Sequence, residues 1–169
     1  MWQDVLFQQV FPVMGTFFYI TVSLSSFFCA IECRRRKSLD PIDPFSFIYM
    51  AANGFAWLIY GAFIKNIYLL IGGISVIFSW YGVVSSLFLL GIEFKEDIVK
   101  KMERLLGFIA FFWITLCGYI ALQLNVRTAS TLIGYLCIFL TLTLSTMSMA
   151  KVRTICTTGD ASSVNRPFM

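Results

Sequence analysis

The sequence predicts an all-α membrane protein made of three-helix bundles and a linker helix. Of its 169 residues, 59% are hydrophobic and 13% are charged, whereas soluble domains carry roughly 25% charged residues. Five stretches contain no Asp, Glu, Lys or Arg, and each can supply the roughly 20 apolar residues that cross a bilayer as a helix. These stretches are residues 5–31, 44–64, 66–92, 105–126 and 128–150.

The first stretch is expected to be a retained helix and not a signal peptide. It is too long, Asp4 stands where a basic region would precede it, and it shows no small-residue cleavage site. The chain has five cysteines without metal-finger spacing and no histidine. We therefore expect buried structural thiols, no metal site and no cofactor.

The basic residues divide unevenly between the two sides of the predicted membrane. Eleven of the 13 Lys and Arg residues follow the first, third or fifth helix, and the other two are Lys65 and Arg127. Lys and Arg accumulate on the cytosolic side, so the N-terminus is expected outside the cell or in a lumen and the C-terminus in the cytosol. The membrane is expected to be the plasma membrane or a Golgi-type internal membrane.

The basic charge does not indicate a nucleic-acid partner. The net charge of +4 follows from the predicted topology. The basic run CRRRKSLD at 33–40 is ordinarily such a topology signal. A patch that binds anionic lipid is the alternative interpretation.

An internal repeat relates the first and fifth predicted helices. Residues 20–30 (ITVSLSSFFCA) align with residues 140–150 (LTLTLSTMSMA), and a basic loop followed by Pro-Phe comes after each copy. An even number of crossings separates these helices, so they point the same way and form a parallel repeat. Parallel repeats are a known symmetry of membrane transporters.

Six short motifs follow one another along the chain: RRRKS (34–38), PF (44–45), N-x-x-x-W-x-x-Y-G (53–61), LS (144–145), AKVRT (150–154) and RPFM (166–169). Their order resembles that in the SWEET sugar transporters, which belong to the wider PQ-loop or saliva-type group. The chain resembles this family over essentially its whole length, as one and a half of the family's two units. The resemblance implies two three-helix bundles joined by an inversion linker helix, with seven spans, so the chain is expected to end after the start of the sixth.

The expected organisation has three parts: a first three-helix bundle (1–92), a cytosolic linker with the inversion linker helix (93–126), and the start of an incomplete second bundle (127–169). The resemblance implies passive, bidirectional transport of mono- or disaccharides of the glucose or sucrose class, as a uniporter working by alternating access. The family's pocket lies between two bundles, so this chain is expected to act as a homo- or hetero-oligomer.

Asn53 and Trp57 are the residues expected to bind the substrate. Their spacing puts them on one helix face, which Tyr60 shares. An amide both donates and accepts hydrogen bonds, and an indole ring offers a flat apolar face to a sugar ring. A hydrogen bond that holds neighbouring membrane helices together is the alternative role of Asn53.

The resemblance adds further expected site residues. Gly73 lies in the stretch that matches the family's third-helix pocket asparagine, and hinge or gate roles fall on Pro44, Pro167 and Tyr60. Pro44 and Pro167 also suit plain helix starts. Helix packing is the expected role of the hydroxyl stripe, with cavity lining as the alternative; the stripe consists of Thr21, Ser25, Thr141, Ser145 and Ser148.

Two absences bear on the class of function. Proton-coupled carriers use acidic or histidine relays inside the membrane, and the five stretches contain none, which favours facilitated diffusion. No catalytic constellation is present, so an enzyme is not expected. Two alternatives remain: a PQ-loop carrier of another small polar solute, such as an amino acid, and a non-transporting truncated subunit that regulates full-length relatives.

Overall fold

The described part of the chain consists of six α-helices joined by short connections. The computed structural model of the protein describes residues 10–39, 42–122 and 126–158. No strand occurs in these ranges, so the prediction of an all-α fold is confirmed for them. The helices are α1 (Phe11–Arg36), α2 (Phe45–Phe63), α3 (Ile67–Ile74), α4 (Val76–Ile92), α5 (Glu96–Leu122) and α6 (Val126–Thr158).

Within these ranges, five helical segments are long and apolar enough to cross a membrane. Ser75 alone separates α3 from α4, so the two helices form one such segment, Ile67–Ile92. Each segment overlaps one of the charge-free stretches, and the set is compatible with a multi-pass integral membrane protein. The other four segments are Pro12–Arg36, Phe45–Phe63, Glu96–Ile120 and Arg127–Thr146.

Local chemistry explains where α2 and α3 begin. Pro44 precedes α2 with a φ of −64°, which suits a first turn whose N–H groups have no partner inside the helix. The Asp43 carboxylate accepts the N–H of Phe45 at 3.1 Å. The side-chain oxygen of Asn66 accepts the N–H groups of Tyr68 and Leu69 and so caps α3. Pro44 therefore occupies the helix start expected of it, and its hinge role stays a prediction.

Three helices end with a non-glycine residue in the left-handed region. Lys37, Lys65 and Phe94 follow α1, α2 and α4 with φ values of 54°, 53° and 54°. After each of them, the next N–H bonds back to a carbonyl five residues earlier in the helix, at 3.2, 2.9 and 3.1 Å. This arrangement satisfies carbonyls that the helix end leaves open. It also turns the chain sharply into the next helix.

α1 and α2 both pack against the α3–α4 pair. Glycines bring α2 and α3 into close contact. A Cβ on Gly73 would lie 2.6 Å from the Leu58 Cα, and a Cβ on Gly61 would lie 3.0 Å from the Leu70 nitrogen. Small residues commonly allow such close approach between membrane helices.

A cluster of buried side chains packs α6 against α2. Ala56 of α2 and Ile133 and Cys137 of α6 are fully buried there, together with Trp113 of α5. Gly134 leaves room for the Tyr60 ring, because a Cβ at that position would lie 3.2 Å from the ring. This packing brings the middle of α6 beside the middle of α2.

Candidate functional site

A cavity of about 410 Å³ lies where α1, α2, α3 and α6 meet. Sites for small molecules usually measure roughly 300–1,000 Å³. The described residues around the cavity are uncharged: Pro12, Gly15, Thr16, Tyr19, Asn53, Trp57, Asn66, Tyr68, Leu69, Gly72, Gly73 and Thr141. The chain therefore holds a space of ligand size with polar groups in its wall.

One side of the cavity is a hydrogen-bonded chain of three side chains. Asn53 is 4% exposed, and its Oδ1 accepts the hydroxyl proton of Thr141 at 3.1 Å. The Thr141 oxygen accepts the indole N–H of Trp57 at 3.2 Å. A hydroxyl has one proton and two lone pairs, so Thr141 can make both bonds at once. The chain joins two residues of α2 through one residue of α6.

Three hydroxyl groups, those of Tyr19, Ser23 and Ser75, extend the polar contacts of Asn53. The Tyr19 hydroxyl interacts with the side chains of Asn53 and Ser75. Ser23 donates to the Ser75 oxygen at 3.1 Å, and Ser75 donates to the Gly72 carbonyl at 2.5 Å. α1, α2 and the α3–α4 junction therefore share one set of hydroxyl and amide contacts.

The third apolar segment contains a local 3₁₀ turn at Ser75, whose φ of −60° and ψ of −11° remain right-handed helical. The Ser75 N–H bonds to the Gly72 carbonyl at 3.1 Å, and the Phe78 N–H bonds to the Ser75 carbonyl at 3.0 Å. Both bonds span three residues, as in a 3₁₀ turn, and not the four of an α-helix. Residues 66–92 contain no charged residue, so the charge pattern does not predict this turn.

The three residues predicted to bind substrate lie around the same cavity. Asn53 and Trp57 place polar groups in the cavity wall. Gly73 also lines the cavity but has no side chain that would fill it. Gly73 also packs against the Leu58 backbone, so its place in the wall follows from the α2–α3 contact. Their common location is observed, and their contact with a substrate stays a prediction.

Two of the predicted hinge and gate residues, Tyr60 and Pro44, are not among the described residues that line the cavity. Tyr60 packs edge-on against Trp57, with ring centroids 6.0 Å apart, and therefore supports that ring from behind. Pro44 lies at the start of α2. Pro167 lies outside the described residues.

Residues of the hydroxyl stripe differ in what they contact: some bond only within their own helix, and Thr141 lines the cavity. Thr21 and Ser145 bond to carbonyls four residues earlier in their own helices, at 2.9 Å each, as ordinary helical hydroxyls do. Thr141 differs, because it faces the cavity and bonds to α2. The side chain of Ser148 is outside the described set.

Sequence reasoning does not identify Tyr19 or Ser75 as site residues. Their polarity inside charge-free stretches is a signal, since polar groups within membranes often mark solute pathways. Many other hydroxyls in this chain carry the same signal. The choice among them depends on how each helix is rotated, which the sequence pattern does not reveal.

The fold and the cavity together define a helical protein with five segments of membrane-spanning length and an uncharged cavity, whose mostly apolar wall carries a few amide and hydroxyl groups. Within the described residues, no group of three or more Cys, Asp or Glu could hold a metal ion. No family model, curated protein or solved structure matches this chain. A functional assignment therefore depends on the chemistry of the cavity.

Proposed function

We propose that the protein is a facilitator that moves neutral mono- or disaccharides across a membrane by alternating access. The observation that carries this proposal is the composition of the cavity wall. It combines the Asn53 amide, the Tyr19 and Thr141 hydroxyls and the Trp57 ring, with no charged residue among the described lining.

Hydroxyl-rich solutes suit this wall. A sugar hydroxyl donates one hydrogen bond and accepts others, and an amide or hydroxyl can do the same. Thr141 holds the Asn53 carbonyl oxygen at 3.1 Å, so the orientation of the amide is set before a solute arrives. Preorganisation of this kind reduces the ordering cost of binding.

The same wall favours a neutral solute over an amino acid. A zwitterion would bring an ammonium and a carboxylate into a space whose described lining carries no opposite charge. Burial of unpaired charges is strongly unfavourable. The amino-acid carrier is therefore the second candidate, and the regulatory subunit is the third.

The arrangement of the helices suggests how the site would operate in a membrane. In this proposal α1, α2 and the α3–α4 pair form the first bundle, α5 is the linker helix and α6 begins the second bundle. The N-terminus lies outside the cell or in a lumen, and the membrane is the plasma membrane or a Golgi-type membrane. The proposal includes assembly of this chain with a second copy or with a relative.

Counterflow in proteoliposomes tests the proposal. The purified chain is reconstituted, and uptake of radiolabelled glucose and sucrose is compared for wild type, Asn53→Ala and Thr115→Ala. Thr115 is an exposed residue of α5 that bonds to its own helix, so its variant is the matched control. We expect wild-type flux, unchanged flux in the control, and a loss of about tenfold in Asn53→Ala, the factor that corresponds to about 1.4 kcal/mol.

Each other result has a definite meaning. No flux of either sugar from folded wild-type protein would reject a sugar facilitator that acts by itself. Flux of a radiolabelled amino acid in its place would select the second candidate. Equal flux in wild type and Asn53→Ala would remove Asn53 from the site.

A further inference from the structure

Basic residues gather at the C-terminal end of α1. Arg34, Arg35, Arg36 and Lys37 are all exposed. The one carboxylate in this turn is Glu32, which pairs with Arg35 at 3.4 Å and with Arg36 at 2.7 Å. Arg34 and Lys37 take no part in these two ion pairs. This end of α1 therefore presents an excess of positive charge.

Arg34 lies against α4. Its guanidinium carbon is 5.0 Å from the centroid of the Phe88 ring, a distance typical of a cation–π contact. The nearby carboxylate Glu93 is paired with Lys95 at 2.6 Å. The Phe88 ring holds the guanidinium through its flat face. The N–H groups at the edge of the guanidinium are not used in this contact.

An apolar surface continues along the two helices from this contact. Phe27 packs against Phe78 and Tyr81, with centroid distances of 5.3 and 4.9 Å. Phe27 and Tyr81 each precede the Arg34–Phe88 pair by seven residues, so α1 and α4 run parallel here.

Large apolar side chains are exposed beside this contact line. Ile31 lies one turn before Arg34 on α1, and Val84 lies one turn before Phe88 on α4. Their exposed fractions are 38% for Ile31, 58% for Val84 and 53% for Phe88. The surface is therefore amphipathic along its length, with a cationic end and an apolar body.

We propose that this surface is a binding site for one anionic phospholipid. Arg34 and Lys37 hold the headgroup phosphate, and the acyl chains lie along Ile31, Val84 and Phe88. A guanidinium donates two parallel hydrogen bonds to phosphate oxygens. Basic clusters at the cytosolic ends of membrane helices attract anionic lipids. A free phosphate would use the cationic end alone, whereas a lipid uses both parts.

Native mass spectrometry of the purified full chain tests the site. The protein in detergent is mixed with phosphatidylserine or phosphatidylcholine, and the fraction carrying one bound lipid is measured for wild type, Arg34→Gln and Arg35→Gln. The Arg35 variant is the matched control, because it removes the same charge from the neighbouring residue. Wild type and Arg35→Gln are expected to prefer phosphatidylserine, and Arg34→Gln is expected to lose that preference by about fivefold.

Two further comparisons separate this proposal from its competitors. Equal losses in Arg34→Gln and Arg35→Gln would mean diffuse attraction to a basic patch, which overturns the site. Glycerophosphoserine carries the headgroup without acyl chains, and full competition by it at equal concentration would mean an anion site and not a lipid site. The Phe88→Leu variant keeps an apolar side chain but removes the aromatic ring, so it is expected to bind phosphatidylserine more weakly than wild type. Unchanged binding would overturn the role of the cation–π contact.

Discussion

Thr141 is the residue on which the geometry of the cavity wall depends most. It accepts from Trp57 at 3.2 Å and donates to Asn53 at 3.1 Å. Its β-branched side chain places the hydroxyl between two partners that belong to another helix. A residue with no charge therefore couples α6 to the face of α2 that is expected to bind substrate.

Thr141→Val tests this coupling. Valine keeps the shape and removes the hydroxyl, so Asn53 and Trp57 both lose a partner. Hydrogen bonds between membrane helices average about 0.6 kcal/mol, so the loss of two should lower the free energy of unfolding by about 1 kcal/mol. Unfolding in a denaturing detergent series measures the change.

Thr141→Ser is the control for that variant. Serine keeps the hydroxyl and is expected to retain most of the stability of wild type. Equal effects of valine and serine would contradict the hydrogen-bonded chain, because they would trace the loss to the methyl group.

At the scale of helices, close packing of α2 on α3 shapes the cavity. Glycines on the facing surfaces remove the side chains that would hold the two backbones apart. Gly73 makes the tightest contact with the Leu58 backbone, 2.6 Å from where its Cβ would be. A rigid backbone cannot yield to an added methyl as a flexible side chain can.

Gly73→Ala is therefore expected to destabilise the α2–α3 pair. Overpacking of this kind costs typically 1–3 kcal/mol. Gly118→Ala is the matched control, because nothing lies within 4 Å of a Cβ there, and alanine favours a helix over glycine. Thermal unfolding of both variants in detergent measures the difference. A Gly73→Ala protein as stable as the Gly118→Ala protein would contradict the close contact.

At the scale of the whole molecule, one carboxylate joins two connecting segments. Glu93 follows α4, and its side chain pairs with Lys95 at 2.6 Å. It also interacts with Ser38 and with the backbone of Leu39 in the segment after α1. The hydrogen bond with Lys95 is the main cause that holds the pKa of Glu93 below its usual value.

This lowered pKa predicts the pH dependence of stability. A carboxylate whose folded-state pKa lies below the unfolded value stabilises the fold above the unfolded pKa, about 4.3 for Glu. That contribution is lost as the pH falls through the folded-state pKa. Wild type is expected to be more stable than Glu93→Gln at neutral pH, by a small amount because the pair is partly exposed.

Unfolding curves of the two proteins across the acidic range check this prediction. The difference between wild type and Glu93→Gln should shrink as the pH falls below about 4. A difference that grows with acidity would contradict the assigned direction. Glu93 is not among the described residues that line the cavity, so the proposed sugar counterflow at neutral pH should be equal in Glu93→Gln and wild type.

The sequence by itself determined the all-α fold and the five segments that can span a membrane. Charge is the reason, because Asp, Glu, Lys and Arg are too costly to place in hydrocarbon and therefore mark the limits of each segment. The sequence also identified Asn53 and Trp57 as one face of α2, since helical periodicity is local.

Only the tertiary structure decided that Thr141 completes this face and that a 3₁₀ turn forms at Ser75 within the third segment. Lipid tails are as apolar as a packed helix surface, so apolar patterning in a membrane helix does not reveal which side faces a neighbour. The rotation of α6 against α2 follows from the fit of side chains such as Gly134 against Tyr60. That fit depends on both helices together, so it cannot be predicted from the sequence of either helix alone.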